Sequence, residues 1–490
     1  MNGNLDERRR WAALTVLCLG VLMIVLDTTI VNVALPSIRN DLGFSETSLV
    51  WVVNAYMLTF GGFLLLGGRL GDLFGYRKLF LCGITLFTLT SLACGLAYSQ
   101  TLLIIARAVQ GLGGAVVSAI ALSLIMDLFP EPTERAKAMG VYGFVCAGGG
   151  SIGVLLGGIL TAAFNWHWIF LVNVPIGVAV FVLSSLLVPS GRQEIATRHL
   201  DVAGAVSVTA ALMSAVYAIV NGHAAGWISV QTIALLMAAG VLFAIFVGIE
   251  ARVHAPLVPL GLFRSRNLAT ANVVAVLWAA AMFAWFFISA LYLQLTLGYS
   301  ALQVGLAFLP ANLIMAVFSL GLSAQFVVRF GIRLPLAAGL ALAALGLALF
   351  ARTPVDGHFV IDVLPAMLLL GLGAGIALNP LLLAAMSNVA AHQSGLASGI
   401  VNTSFMMGGA LGLAILASLA AAWTDSARAS GVTTSVALCA GYHVAFWFGA
   451  IFAAIAALLS ALFLRVVRPP AASEKSSKRP SLAADGGELV

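Results

Sequence analysis

Two residues carry a charge where their surroundings disfavour one: Asp27, in IVLDTTIVNVALP (24–36), and Arg107, in LLIIARAVQGLGGA (102–115). Of the 18 acidic residues only Asp27 lies well inside an apolar run, and of the 24 basic residues only Arg107 does. An ionised side chain at the centre of an apolar helix costs about 2.5–3.5 kcal/mol on insertion scales, and such residues mark ion pathways. At about 1.5 Å per helical residue, Asp27 lies about 14 Å from Pro36 and Arg107 about 10 Å from Gln100. Opposite charges at similar depth on two helices are natural partners. The pair either fixes helix packing or works as a switch that takes up and releases a proton. Arginine keeps its proton under all such conditions, so the titrating member is Asp27.

Uncharged polar residues cluster with them. Thr28, Thr29 and Asn32 follow Asp27, Gln110 lies one turn from Arg107, and Asn54 and Tyr56 interrupt the second apolar run. Each alone reads as packing or interhelical hydrogen bonding. Together Asn32, Asn54, Tyr56 and Gln110 are candidate lining residues of a water-accessible cavity.

The elements that must position these groups are membrane helices. The chain of 490 residues is 61% hydrophobic and 9% charged, with mean hydropathy +1.07, whereas soluble domains carry about 25% charged residues. Apolar stretches long enough to span hydrocarbon occur near 11–36, 47–70, 79–98, 101–126, 136–162, 166–189, 202–221, 228–249, 268–295, 302–327, 333–351, 362–385, 396–420 and 441–464. Strand-like alternation is absent. The expected fold is an all-α membrane protein of fourteen transmembrane helices. The first stretch has a short basic flank and no small-residue cleavage site, so it reads as a retained helix rather than a removed signal.

Loop charge sets the expected orientation. With the N-terminus in the cytoplasm, twenty Lys and Arg fall in inward-facing segments, and only Arg39, Arg352 and Arg428 face outward. Both termini are then cytoplasmic. The net charge of +6 follows from this asymmetry, and no nucleic-acid partner is needed to explain it. The segment after Pro469 is rich in small and polar residues and is expected to be disordered. Phe-Gly-x-Arg recurs at 74–77 and 330–333, each time after the second helix of a six-helix half, if the seventh and eighth helices are an insertion. The expected parts are 1–10 (cytoplasmic N-terminus), 11–189 (first six-helix half), 190–249 (two-helix insertion with linker), 250–465 (second half) and 466–490 (cytoplasmic tail).

Several segments together resemble the fourteen-helix drug:proton antiporter branch of the major facilitator superfamily, over about 10–465. LDTTIVNVALP (26–36) is similar to its first-helix signature, and RAVQGLGGA (107–115) to its fourth-helix motif. GRLGDLFGYRK (68–78) resembles the loop motif, keeping Gly68, Asp72, Gly75, Arg77 and Lys78 but with Leu73 and Tyr76 at usually basic positions. GVLLGGIL (153–160) resembles the fifth-helix antiporter motif, with Val154 in place of proline. Gly149, Gly153 and Gly157 recur every four residues and Gly158 adjoins them, a pattern that allows close helix approach. WHWIFLVNVPIG (166–177) and EARVHAPLVPLGLFRSR (250–266) are further similar segments. No acid stands in NTSFMMGGALG (402–412), where some relatives have one.

The resemblance implies a major facilitator fold and proton-coupled efflux of hydrophobic or cationic small molecules by alternating access, in the inner membrane of a bacterium. Asp27 and Arg107 would couple the proton, and the 68–78 loop would gate. Small-molecule substrate, protons and the bilayer are the expected partners of a monomer. Export of a specific lipid or endogenous metabolite on the same scaffold is the alternative. A membrane sensor would need a folded soluble domain, and the longest soluble segment is the tail. GLGGA (111–115) and GLGAG (371–375) lie within helices and read as packing rather than dinucleotide loops. No Walker sequence occurs, and neither the five cysteines nor the seven histidines have metal-ligand spacing. No cofactor, no metal and no enzymatic activity are expected.

Overall fold

In hydrocarbon a chain satisfies its backbone as helices or as a closed barrel, and this chain forms helices. The computed structural model describes residues 7–189, 201–253, 256–387, 389 and 394–465. The expectations for residues 1–6, for the linker 190–200 and for the tail 466–490 lie outside the described residues.

The helices are α1 (Glu7–Leu42), α2 (Trp51–Phe74), α3 (Tyr76–Gly95), α4 (Gln100–Leu128), α5 (Pro132–Ala163), α6 (Trp168–Leu171) and α7 (Asn173–Leu187). They continue with α8 (Val202–Ala225), α9 (Val230–Glu250), α10 (Arg266–Leu291), α11 (Ala301–Val317) and α12 (Ser323–Phe330). The last four are α13 (Arg333–Phe350), α14 (Leu364–Met386), α15 (Ser394–Ala429) and α16 (Thr434–Phe463). No strand occurs among the described residues. Thirteen helical stretches are long and apolar enough to cross a membrane, with α6 and α7 forming one of them. The fourteenth expected span falls on α11, which continues through a π-turn at Phe318–Leu322 into α12.

Helix ends differ from the apolar runs because hydrocarbon length does not stop a helix. α1 and α15 have 36 residues each, about 54 Å, well beyond the ~30 Å hydrocarbon layer. Pro36 lies inside α1, and the helix continues through polar residues to Leu42. The extension of α15 is rich in alanine, the best helix former. These overhangs bring Arg39 and Arg428 to one carboxylate: Glu46 lies 3.5 Å from Arg39 and 3.2 Å from Arg428. Two of the three outlying basic residues thus join the α1–α2 connection to the end of α15.

α1 packs on α5 and α7, and α4 packs on α2 and α3. Further along the chain, α10 packs on α15 and α16, and α13 on α14 and α16. The two sets meet where α5 touches α11 and α2 touches α15. α8 lies against α2 and α15, and α9 packs on α8. Helix alternation gathers most of the basic residues at one end of the bundle, called the basic end below.

The short repeat acquires a structural meaning here. Gly75 ends α2 at φ +88°, and Gly331 ends α12 at φ +75°. Arg77 and Arg333 then fall in the first turn of the helices that follow. Both turns need a backbone conformation that costs a residue with a Cβ about 1–3 kcal/mol. The glycine-rich strings are packing surfaces. A Cβ on Gly111 would come 2.5 Å from the Tyr56 carbonyl oxygen, and one on Gly373 would come 2.5 Å from that of Gly339.

Gly331→Ala should therefore lower the melting temperature of the detergent-solubilised protein by the equivalent of about 1–3 kcal/mol. Gly240→Ala, on an α9 face where a new Cβ meets nothing within 4 Å, should leave it unchanged or raise it.

Candidate functional site

Asp27 and Arg107 meet. Arg107 Nη1 donates to Asp27 Oδ2 at 2.5 Å, with both side chains removed from solvent: Asp27 is 0% and Arg107 1% exposed. The other carboxylate oxygen, Oδ1, accepts from Gln110 Nε2 at 2.9 Å and from Asn173 Nδ2 at 2.9 Å. Arg107 also donates from Nε to the Val52 carbonyl oxygen at 2.9 Å and from Nη1 to Gln110 Oε1 at 2.7 Å. Its guanidinium carbon lies 4.4 Å from the centre of the Tyr56 ring and 5.6 Å from that of Phe170. Gln110 is held in turn: its Nε2 donates to Ser91 Oγ at 2.8 Å, and Cys94 Sγ reaches its Oε1 at 3.7 Å. A buried charge survives only with its partner present and its remaining lone pairs satisfied. This network supplies both.

Neighbouring bonds set the position of α1 against its partners. Gln100, the first residue of α4, donates to the Leu42 and Gly43 carbonyl oxygens at 3.0 and 2.9 Å. Trp166 Nε1 donates to Asp41 Oδ2 at 2.9 Å. Pro36 does not end the first span but lies inside α1. Because α1 runs to Leu42, Asp27 lies about 22 Å from the helix end, and Gln110, deeper on α4 than Arg107, reaches the same carboxylate. Asn173 is delivered by a break in the sixth span. The helix stops at Leu171 and restarts at Asn173, and Pro175 has no N–H to donate to the Leu171 carbonyl.

The α5 glycines form the surface on which this part of α1 rests. Added Cβ atoms on Gly149, Gly153 and Gly157 would come 2.9 Å from Val25 Cγ1, 2.0 Å from Thr29 Oγ1 and 2.6 Å from the Ile30 carbonyl oxygen. One on Gly158 would come 2.7 Å from the Ala301 carbonyl oxygen of α11. Val154, at the position of the family's proline, is buried, and its carbonyl faces Gly305 of α11.

The other candidate residues divide. Gln110 and Tyr56 stand directly on the pair. Asn54 Nδ2 instead donates to the Ala410 carbonyl oxygen of α15 at 2.9 Å, joining α2 to the later helices, and Asn32 bonds back to Thr29 of its own helix. Thr28 and Thr29 likewise bond carbonyls of α1. The segment 68–78, expected as a loop, is helical except at Gly75: α2 runs on to Phe74 and α3 begins at Tyr76, so Gly75 alone makes the turn. Arg77 donates from Nη2 to the Ser185 carbonyl oxygen at the end of α7. Lys78 is exposed, and a Cβ on Gly68 would meet only Ala119, at 3.9 Å. Gly67 and Gly71 make the close approaches there, to α4 and to Tyr76. The side chain of Asp72 lies outside the described residues.

Sequence reasoning did not assign Asn173, Ser91 or the Val52 carbonyl. Asn173 had one signal, an amide in the otherwise apolar FLVNVPIG beside a helix-breaking proline. Ser91 and a backbone carbonyl have none.

Residues 17–413 match the family model of the Major Facilitator Superfamily. The chain belongs to this superfamily. It is 38% identical to the puromycin resistance protein of Streptomyces alboniger, over 96% of this chain and 94% of that one. It is 39% identical to the cephamycin export protein of Amycolatopsis lactamdurans over 85% of this chain and 86% of that one. With the multidrug resistance protein Stp of Mycobacterium tuberculosis it shares 38% over 83% of this chain and 75% of that one. Among solved structures, an auto-inhibited POT family peptide transporter superposes with TM-score 0.68 at 16% identity, covering 96% of this chain and 99% of that one. That likeness confirms the major facilitator fold. The chain is a multi-pass membrane transporter.

Asn173→Ala should remove one donor from a buried carboxylate and cost about 1–3 kcal/mol, read as a lower melting temperature. Ser91→Ala, which touches Gln110 rather than the carboxylate, should cost less.

Proposed function

We propose that the chain exports hydrophobic and cationic small molecules in exchange for protons, and that Asp27 is the group that carries the proton. The observation that supports this reading best is the set of three donors closed around one buried carboxylate. Ionised Asp27 accepts from Arg107, Gln110 and Asn173. A proton on it turns one acceptor oxygen into a donor and removes the charge that holds Arg107. Arg107 then retains Gln110 and the Val52 carbonyl, and α1 is released from part of its hold on α4. Neither side chain of the pair touches solvent in the conformation described, so proton exchange requires the helices to move. The glycine face of α5 against residues 25–30 of α1 offers a surface with no side chains to obstruct sliding.

The moving bodies in this reading are residues 11–189 and 250–465, with 190–249 inserted between them. The hydrogen bond that Asn54 donates to the Ala410 carbonyl oxygen, the one that Gln294 donates to the Val33 carbonyl oxygen at 3.0 Å and the Arg428–Glu46 ion pair bind one body to the other. The last of these lies at the end opposite the basic one. With the basic end in the cytoplasm of a bacterial inner membrane, this conformation is held closed on the outside, and a substrate enters from the cytoplasm or inner leaflet. Outward opening breaks these contacts, and protonation of Asp27 from outside drives release. One chain contains the whole site, so a monomer suffices. The names of the relatives, which include a puromycin resistance, a cephamycin export and a multidrug resistance protein, support small-molecule drugs as cargo.

In proteoliposomes under an imposed pH gradient, Asp27→Asn should reduce proton-driven export of a cationic dye to the protein-free level while the variant still reconstitutes. Undiminished export by that variant would falsify the assignment. Gly153→Leu, which places a side chain against Thr29 and the Leu26 carbonyl, should slow export at least tenfold with the protein still in the membrane. Export unchanged in Gly153→Leu would remove the sliding role of the α5 face.

A further inference from the structure

A second pair of carboxyls is buried far along the chain from Asp27. Asp201, the residue before α8, is 4% exposed, and Glu250, the last residue of α9, is 3% exposed. Both lie at the basic end, where the inserted helices α8 and α9 meet, with their carboxyl groups within interaction range of each other. Each is anchored through one oxygen. Asp201 Oδ1 accepts from the Gly204 amide at 2.7 Å, and Glu250 Oε2 accepts from the Val258 amide at 3.0 Å. The other oxygens, Asp201 Oδ2 and Glu250 Oε1, are sealed from water and have no donor. Gly204 leaves the room for this arrangement, since a Cβ there would lie 2.5 Å from Asp201 Oδ2.

Two ionised carboxylates cannot share a dry site without a positive partner. Among the described residues, no basic side chain bonds either carboxyl. Arg69 of α2 and Arg252 of the segment after α9 bond neither carboxyl, and α15 carries Asp425 and Arg428 at its opposite end. Arg198 and His199, which precede Asp201, His254 and the Asp72 side chain are outside the described residues. The N-terminus of α8 favours one negative charge, not two. A single proton between the facing oxygens turns two orphan acceptors into one donor–acceptor bond and leaves the one charge the helix end stabilises.

We infer that Asp201 and Glu250 hold one proton between them, a second protonation site separate from Asp27, which keeps α8 and α9 closed on the segment leading into α10. The amide of Val258 bonds Glu250, and the neighbouring Leu257 packs with Leu66 of α2 and Ala205 of α8 in a small apolar cluster of their own. Loss of the proton would set two like charges together at the Val258 bond, one residue from that cluster, and loosen the connection between the inserted helices and α2. This inference does not rest on the role proposed for Asp27.

Infrared spectroscopy of the purified full-length protein in an ester-free detergent tests it, with Asp27→Asn as background so that the first site contributes no carboxylic acid. At neutral pH the spectrum should contain the carbonyl band of one protonated carboxyl per chain. That band should vanish in Asp27→Asn/Glu250→Gln and equally in Asp27→Asn/Asp201→Asn, the second variant serving if the first fails to fold. A background spectrum without the band, or a band that survives both changes, overturns the assignment. So does a melting temperature that rises with sodium or potassium at fixed pH in the absence of the band, which would put a bound cation in the proton's place.

Discussion

A carboxylate with no access to water must find all its stabilisation in the protein, and Asp27 finds it in three donors from two other spans. Arg107 supplies charge, Gln110 and Asn173 supply geometry, and the Val52 carbonyl and Tyr56 ring occupy the rest of the guanidinium. Removing any one member leaves another buried group short of a partner. The packing of α1, α4 and α7 is therefore organised around this one negative charge. A structural ion pair and a switch differ only in whether the network can open, and the geometry here makes opening consequential: a change at one oxygen is felt on three spans.

The surroundings of the pair are built from two contrasting materials. Toward the ends of the helices, specific hydrogen bonds hold α1 in register, from Gln100 and Trp166 on one side and through Glu46 to the far end of α15 on another. Around residues 25–30, α1 instead lies on a surface of glycines, where contact is close but carries few directional bonds. Packing without an opposing side chain lets backbones approach and leaves little to break when one helix moves along another. The same logic applies where α4 meets α2 and where α14 meets α13, which explains why glycine is abundant in a chain with few loops.

The inserted helices α8 and α9 have a different relation to the bundle. α8 touches α2 and α15, one from each side of the molecule, whereas α9 touches the bundle through α8. Their acidic junction lies at the same end of the bundle as the turn made by Gly75, and the matching turn at Gly331 occurs in the later helices. Charge, turn and insertion thus lie at one end, while the ion-paired closure around Glu46 lies at the other.

Much of this was legible without coordinates. Hydrocarbon admits only backbones that satisfy themselves, so apolar length marked the spans, and the cost of an isolated charge singled out Asp27 and Arg107. Helix ends were less legible, because hydropathy reports where the bilayer stops and not where a helix does; α1 and α15 run on through polar and alanine-rich residues. Gln110 and Tyr56 stood out as polar residues near the pair, but the other supporting groups were scarcely legible. An asparagine, a serine and a backbone carbonyl do chemistry only by position, and Asn173 reaches Asp27 because a helix breaks 146 residues further along the chain. Composition and spacing determined that this protein crosses a membrane many times and carries one acid and one base inside it. Tertiary structure alone decided which amides complete that pair and that Asn54 turns away from it, because hydrogen bonds act over about 3 Å and such proximity between distant segments is a property of the packed helices.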